Sequence, residues 1–254
     1  MNSAIRNIAL IGSGNVANFF AHVFHQKGFS ISQIVSRNQE SGKQLAASVD
    51  AKYYQEYNTD LNCDLLIIAV NDDTIQAVID TMDLPQTIVC HTAGSVALEV
   101  LNKFSNRGII YPLQSIKGVK PVSEVPLLIE TSNQNTQTSI EQLLNTCGFL
   151  FKQADSEQRA KYHLAAVFAN NFTNAILAAS EKIVEANNLD VQFLKPLIRH
   201  TFENALQNSA SHSQTGPAIR KDQVSMQKHL SLLEGQEDLV EVYKTLSKFI
   251  ASKK

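Results

Sequence analysis

The sequence predicts an α/β protein, with a mostly parallel sheet and crossover helices over residues 1–153 and an all-helical C-terminal region over 154–254. Three observations carry this. Short Val/Ile/Leu-rich runs alternate with helical stretches up to about residue 153, no such run follows residue 156, and a glycine-rich turn comes directly after the first run. Strands are expected at 5–11, 31–37, 51–54, 65–70, 87–92, 108–112, 125–130 and 149–153. Several are near-continuous apolar runs, as strands covered on both faces require, where half-exposed strands would alternate. Between the first two, residues 15–27 place Val16, Phe19, Phe20, Val23 and Phe24 at helical spacing and give one apolar stripe.

Beyond residue 156 helical periodicity takes over. A long helix over 156–187 is expected to bury Leu164, Val167, Phe168, Phe172, Ile176, Leu177, Ile183 and Val184, with further helices at 191–208, 220–233 and 237–251. No repeat or long linker separates the halves, so the boundary is expected near 153–157.

Composition excludes several classes of function. At 254 residues and 44% hydrophobic content the chain exceeds the size at which a core needs covalent staples. With 22 basic against 24 acidic residues, a net charge of −2 offers nothing to grip nucleic acid or anionic lipid. Cys63, Cys90 and Cys147 are odd in number and lack metal-ligand spacing, which argues against a disulfide framework and a zinc site and for a reducing cytoplasm. The longest apolar run falls far short of the ~20 residues of a spanning helix, and the N-terminus lacks a signal-peptide pattern, so the chain reads as soluble and unexported.

The strongest local signal is Gly12-Ser13-Gly14-Asn15-Val16-Ala17, placed between the first strand and an amphipathic helix. Gly12 permits the tight turn, Gly14 lets a pyrophosphate approach the backbone, and the small Ala17 lets helix and strand pack closely. The free amides and the positive helix end then receive phosphate. At the end of the second strand, where an acidic residue would hold the ribose hydroxyls of NAD, stand Ser36, Arg37 and Asn38. A hydroxyl, a guanidinium and an amide suit a 2′-phosphate, which predicts NADP over NAD. Val70 and Asn71, after the fourth strand, are expected to flank the nicotinamide ribose. After the fifth strand, Gly94 and Ser95 offer amides to a substrate anion, while His91 reads as structural more readily than as catalytic. Gln114, after the sixth strand, faces the same rim.

On the long helix, Asn170 and Asn174 return to within about 20° of His163, with Asn171 about 80° away at 100° per residue. Polar groups on such a helix are satisfied either by neighbouring backbone or by a ligand. Thr215-Gly216-Pro217 leads into a helix carrying Arg220 and Asp222, with His229 about two turns on. Arg220 either binds a substrate carboxylate or pairs with an acid such as Asp222 to tie the turn down.

The glycine turn, Ser36-Arg37, Tyr162-His163 with Ala169 to Asn174, and Thr215 to Asp222 with His229 together resemble a bacterial family of provisionally named NADP oxidoreductases, in which a Rossmann-like domain precedes a helical domain of unknown function. More distantly the layout is similar to 6-phosphogluconate dehydrogenase, pyrroline-5-carboxylate reductase and ketopantoate reductase, whose helical domains often mediate dimerisation. The resemblance implies NADP as cofactor, a homodimer, and hydride transfer to a small carbonyl or imine compound bearing a carboxylate, such as a ketopantoate-like 2-keto acid. Ketopantoate reductases and β-hydroxyacid dehydrogenases carry a lysine near the start of the long helix; here His163 stands at the comparable place, and Lys161 lies on another face. In this reading His163 donates the proton, Asn171 and Asn174 orient the reacting group, and Arg220 or the Ser95 region holds the carboxylate. A non-catalytic NADP-binding sensor or scaffold competes with it, and a deazaflavin-dependent reductase is a third possibility.

Overall fold

The computed structural model describes residues 5–57, 60–118 and 120–252. The chain divides into two compact units, one reaching to Asn171 and the other beginning at Phe172.

The first unit contains β1 (Asn7–Ile11), α1 (Asn15–Gln26), β2 (Ser30–Val35), α2 (Gln39–Ser48), β3 (Lys52–Tyr54), β4 (Leu65–Ile68), α3 (Ile75–Asp80), β5 (Ile88–His91), β6 (Arg107–Pro112), β7 (Leu127–Thr131), α4 (Gln134–Cys147), β8 (Phe151–Gln153) and α5 (Ser156–Ala166). The strands form one eight-stranded sheet in the order β3-β2-β1-β4-β5-β6-β7-β8. Every neighbouring pair is parallel except the antiparallel β6 and β7. Each expected run yields a strand.

Alternation along the strands decides which face each side chain feeds. Ile8 and Leu10 of β1 and Ile34 of β2 join Phe20, Phe24, Ile140 and Leu144 on one face, whereas Ala9, Ile11 and Val35 join Ile75, Val78 and Leu101 on the other. Both faces are covered, which is why β4 is buried at all four positions. On α1 the expected stripe packs inward: Phe20 and Phe24 stack with ring centroids 5.6 Å apart, and Phe149 meets both. Truncating a fully buried ring such as Phe20 costs ~3–5 kcal/mol.

The chain order makes β1 the point from which the sheet grows both ways, toward β2 and toward β4. The crevice outside the carboxyl ends of β1 and β4 is where open α/β sheets take ligands.

The sequence places α5 with the helical region, but its contacts tie it to the sheet unit. Arg159 of α5 is 1% exposed. Its guanidinium pairs with Glu130 of β7, donates to the Val96 carbonyl at 2.5 Å and reaches Ser156 Oγ at 3.2 Å. Ser156 Oγ in turn donates to Glu130 at 2.8 Å and accepts from the Leu98 amide at 3.1 Å. Asp155 caps the helix through a complete capping box with Gln158.

The expected single helix over 156–187 is interrupted. After α5 comes a π-helical turn, Val167–Phe172, and then α6 (Thr173–Ala186), which belongs to the second unit. That unit continues with a 3-10 turn at Val191–Leu194, α7 (Lys195–Gln207), α8 (Pro217–Arg220), α9 (Gln223–Leu232) and α10 (Glu237–Ala251). Pro196 sits in the first turn of α7, where its missing N–H costs little. The helix expected over 220–233 is split because Lys221 adopts φ 56° and Asp222 restarts the chain as the N-cap of α9. Of the long helix's expected buried rows, Val184 is buried, whereas Leu164, Phe168, Phe172, Ile176 and Ile183 are exposed. Periodicity specifies an apolar stripe and leaves open what covers it. No helix among the described residues is long and apolar enough to cross a membrane.

Candidate functional site

The turn after β1 is shaped by one forced glycine. Gly12 has φ +116°, and a Cβ there would lie 2.1 Å from the Ala69 carbonyl oxygen at the end of β4. Its amide donates to the Val35 carbonyl at 2.8 Å, which ties the turn to the end of β2 while its Cα lies against the end of β4. Gly14 is the N-cap of α1, and a Cβ on it would meet nothing within 4 Å. No side chain caps α1 and no acidic residue stands in its first turn. The first amides of α1, among them those of Asn15 and Val16, therefore face open space at a positive helix end, a cradle that fits a pyrophosphate.

Beside it, Ser13 Oγ lies 2.7 Å from both Ser36 Oγ and Ser41 Oγ. Asn38 caps α2, its Oδ1 accepting from the Ser41 amide at 3.1 Å. Arg37 is exposed, with its guanidinium carbon 5.3 Å from the centroid of the Tyr57 ring. A cation held over a ring keeps its N–H groups directed outward and available to phosphate. The hydroxyl trio, the guanidinium and the start of α2 thus gather where a 2′-phosphate would sit. Ser41 and Tyr57 escaped the sequence reading. Ser41, three residues past the Asn38 cap, carries a recognisable signal, whereas Tyr57 carries none.

Val70 lies against the glycine turn, its Cγ1 within 3.6 Å of the position a Gly12 Cβ would take. Asn71 is exposed at the start of the short 3-10 turn Asp72–Thr74. The loops after β4 and β5 are latched together, since Ser95 Oγ donates to the Asp72 carboxylate and the Thr92 amide reaches the Ile68 carbonyl at 3.2 Å.

His91 is fully buried, and its Nδ1 accepts from the Ala93 amide at 3.1 Å. The ring hydrogen then sits on Nε2, and the Ala97 backbone interacts with the ring. Burial, aided by the positive charge of Arg159, pushes its pKa down to about 4, so the ring is neutral at pH 7. This geometry supports the structural reading of His91.

A tyrosine–histidine pair lies one turn along α5 from Arg159. Tyr111 Oη, on β6, and His163 Nδ1 are 2.9 Å apart, and their rings meet edge to face with centroids 5.8 Å apart. Gly94 makes room for both: a Cβ there would lie 2.7 Å from His163 Nδ1 and 2.8 Å from Tyr111 Cζ. The pair opens into a cleft of about 510 Å³, whose polar lining includes Gln114, Ser115, Asn170 and Asn171. Asn170 and Asn171 fall within the π turn, a feature frequent at functional sites. The cleft stands at the carboxyl edge of the sheet, as does the glycine turn. Gln114 is largely committed, its Nε2 donating to the Glu124 carbonyl at 3.2 Å and its Oε1 accepting from the Ser115 amide at 2.9 Å.

The remaining sequence candidates belong to the second unit. Asn174 in α6 and Arg220 at the end of α8 belong to the second unit, and neither lines the cleft. The 100° arithmetic that aligned Asn174 with His163 fails because a turn of i→i+5 geometry intervenes. Asp222 acts as a cap, its carboxylate accepting from the Ser225 hydroxyl at 2.6 Å and the Ser225 amide at 3.0 Å, which holds its pKa below the usual carboxylate range. His229 pairs with the Tyr243 hydroxyl at 2.9 Å. The Arg159–Glu130 pair and the Tyr111–His163 contact were not legible in the sequence. Their partners are separated by 29 and 52 residues, with no periodic signal linking them.

This fold and glycine turn define a Rossmann-like dinucleotide-binding protein. Residues 7–108 match the family model described as NADP oxidoreductase coenzyme F420-dependent, and residues 125–250 match the domain of unknown function DUF2520. The chain is 32% identical to BF3122 from Bacteroides fragilis, provisionally named an NADP oxidoreductase, over 97% of this chain and 98% of that one, with a TM-score of 0.87. Protein TM1727 from Thermotoga maritima shares the fold at 22% identity and TM-score 0.73, covering 97% of each chain. An imine reductase from Myxococcus stipitatus, in complex with NADP+, does so at 14% identity and TM-score 0.69 over 96% of this chain and 92% of that one. Among proteins of curated function none matches. The chain belongs to the NADP oxidoreductase family that joins these two domains, and it is an oxidoreductase of the NADP-dependent class.

Proposed function

We propose that this oxidoreductase reduces a small carbonyl or imine compound bearing a carboxylate, in the cleft beside Tyr111 and His163. The observation that carries the reading is the Tyr111–His163 hydrogen bond opening into a polar cleft at the same sheet edge as the glycine turn. When bound, NADPH supplies the hydride. The first amides of α1, Gly14 and Ser13 hold its pyrophosphate, Ser36, Arg37 and Asn38 select the 2′-phosphate, and Val70 and Asn71 flank the ribose. His163 is the source of the proton, since a positioned imidazole contributes typically 10²–10⁴-fold to such a step. The amides of Asn170 and Asn171 orient the substrate and offer N–H donors to its carboxylate. No role in this cleft is assigned to Asn174 or Arg220. A ketopantoate-like 2-keto acid is the preferred substrate.

The reading also makes the protein a cytoplasmic homodimer in which the sheet over residues 1–153 holds the cofactor, β6 with α5 and the π turn hold the substrate, and the second unit serves the partner. Support for the dimer comes from the second unit, where Phe193 is 83% and Leu206 87% exposed, with Leu197 and Leu232 also exposed. Three free thiols fit a reducing compartment.

The test combines titration calorimetry with turnover. NADPH is expected to bind at least tenfold tighter than NADH, and Arg37→Ala to erase that preference. NADPH oxidation is then followed with ketopantoate, pyruvate and 1-pyrroline-5-carboxylate. Tight NADPH binding with no turnover on any of the three would defeat the reading.

A further inference from the structure

Resting on that reading, we infer that Tyr111 is itself a catalytic residue, the group that hands the proton to the substrate, with His163 behind it as the source. The argument starts from which atom faces which. His163 Nδ1 lies 2.9 Å from the Tyr111 oxygen, so one end of the imidazole is committed to the phenol. When His163 is protonated, Nδ1–H donates to that oxygen, and the phenol's own hydrogen is left free for an acceptor in the cleft that Tyr111 lines.

The proton account then closes. Negative charge develops on the substrate oxygen or nitrogen as its carbon accepts two electrons as hydride from the reduced nicotinamide. That atom takes the phenolic proton, so one O–H bond breaks as the product's O–H or N–H bond forms. In the same movement the Tyr111 oxygen takes the Nδ1 proton, and its O–H bond is restored. Tyrosine ends neutral, imidazolium ends as neutral imidazole, and no tyrosinate accumulates. Avoiding tyrosinate matters at this position. Burial and the Asp72 carboxylate raise the phenol's pKa above its ordinary value, against a smaller opposing effect of Arg159. A Tyr111 acting alone would have to carry that unfavourable anion, and a proton behind it removes the need.

The surroundings hold the pair in this arrangement. The loop after β5 lies so close to both rings that only glycine fits at position 94. The edge-to-face contact keeps the imidazole against the phenol. On the helix side, Arg159 anchors α5 one turn before His163.

Tyr111→Phe keeps the ring and removes only the hydroxyl. It is expected to lower kcat ~100-fold or more on the best substrate of the three-compound panel, leaving KM and the NADPH dissociation constant within about twofold. His163→Gln is expected to lower kcat similarly, and the double variant to be no worse than the weaker single, because two members of one relay fail together. Without cofactor or substrate, the protein labelled with 15N-histidine should show a slowly exchanging downfield Nδ1–H resonance from His163 at a pH where the ring is protonated. Tyr111→Phe should abolish it. Losses that multiply in the double variant, a Tyr111→Phe enzyme keeping more than a third of wild-type kcat, or an unchanged resonance would overturn the relay while the proposed reduction stood. Absence of turnover by the wild-type protein on all three compounds would instead bring down the reduction, and the relay with it.

Discussion

Arg159→Met isolates the contact that brings the helix to the sheet. The substitution keeps an unbranched apolar stem in a site that is 1% exposed and removes the guanidinium. What remains is the Glu130 carboxylate, 17% exposed, the Val96 carbonyl and Ser156 Oγ, each short of one partner. Breaking a buried pair by removing one member costs ~3–5 kcal/mol, because the other charge is stranded. Glu130 keeps the Ser156 hydroxyl at 2.8 Å and some access to water, which places the expectation at the lower end, ~3 kcal/mol. At ~2–4 °C per kcal/mol for a protein of this size, the transition of the first unit should fall by about 6–12 °C. Thermal unfolding followed by circular dichroism, alongside urea titration, reads this directly. The double variant Arg159→Met/Glu130→Leu should recover most of the loss, since apolar side chains of similar volume replace a buried pair at little or no cost. Because the glycine turn makes no contact through Arg159, NADPH affinity should be unchanged while turnover falls with the displacement of His163. A double variant as unstable as the two singles combined, or a single variant within about 2 °C of wild type, would refute the assignment of Arg159 as the anchor of α5.

Two further outcomes follow from the geometry. Gly12→Ala places a Cβ 2.1 Å from the Ala69 oxygen at φ +116°. The backbone conformation costs ~1–3 kcal/mol and the overlap a similar amount. Both Tm and NADPH affinity by calorimetry should fall, and an unchanged Tm would contradict the close approach of β1 and β4. His91 supplies a pH signature. Its folded pKa of about 4 lies below the ordinary 6.5, so the unfolded chain binds the extra proton between those values. Stability should therefore be complete above pH 6.5 and drop by ~3 kcal/mol as pH falls to 4, with no further loss from this group below that. Urea titrations at stepped pH on wild type and His91→Asn should show a flatter dependence in the variant, and parallel curves would remove His91 as the cause.

The sequence alone determined the order of strands and helices, the glycine turn and the preference for a phosphorylated ribose. These are local properties: buried parallel strands must be continuously apolar, a tight turn from a strand into a helix takes glycine, and a missing acid with a guanidinium in its place is visible residue by residue. His163 and Asn171 were legible as polar residues beside the apolar rows of the expected long helix, although not for the Tyr111 hydroxyl that His163 meets. The tertiary structure decided what depends on approach across the chain. Tyr111 meets His163 because β6 ends beside the helix that Arg159 ties to Glu130, and Gly94 proves necessary only once both rings stand over it. It also placed α5 with the sheet unit and split the long helix by a π turn, which apolar periodicity does not register, because the same stripe suits an α turn and a π turn alike until the packing on either side is known.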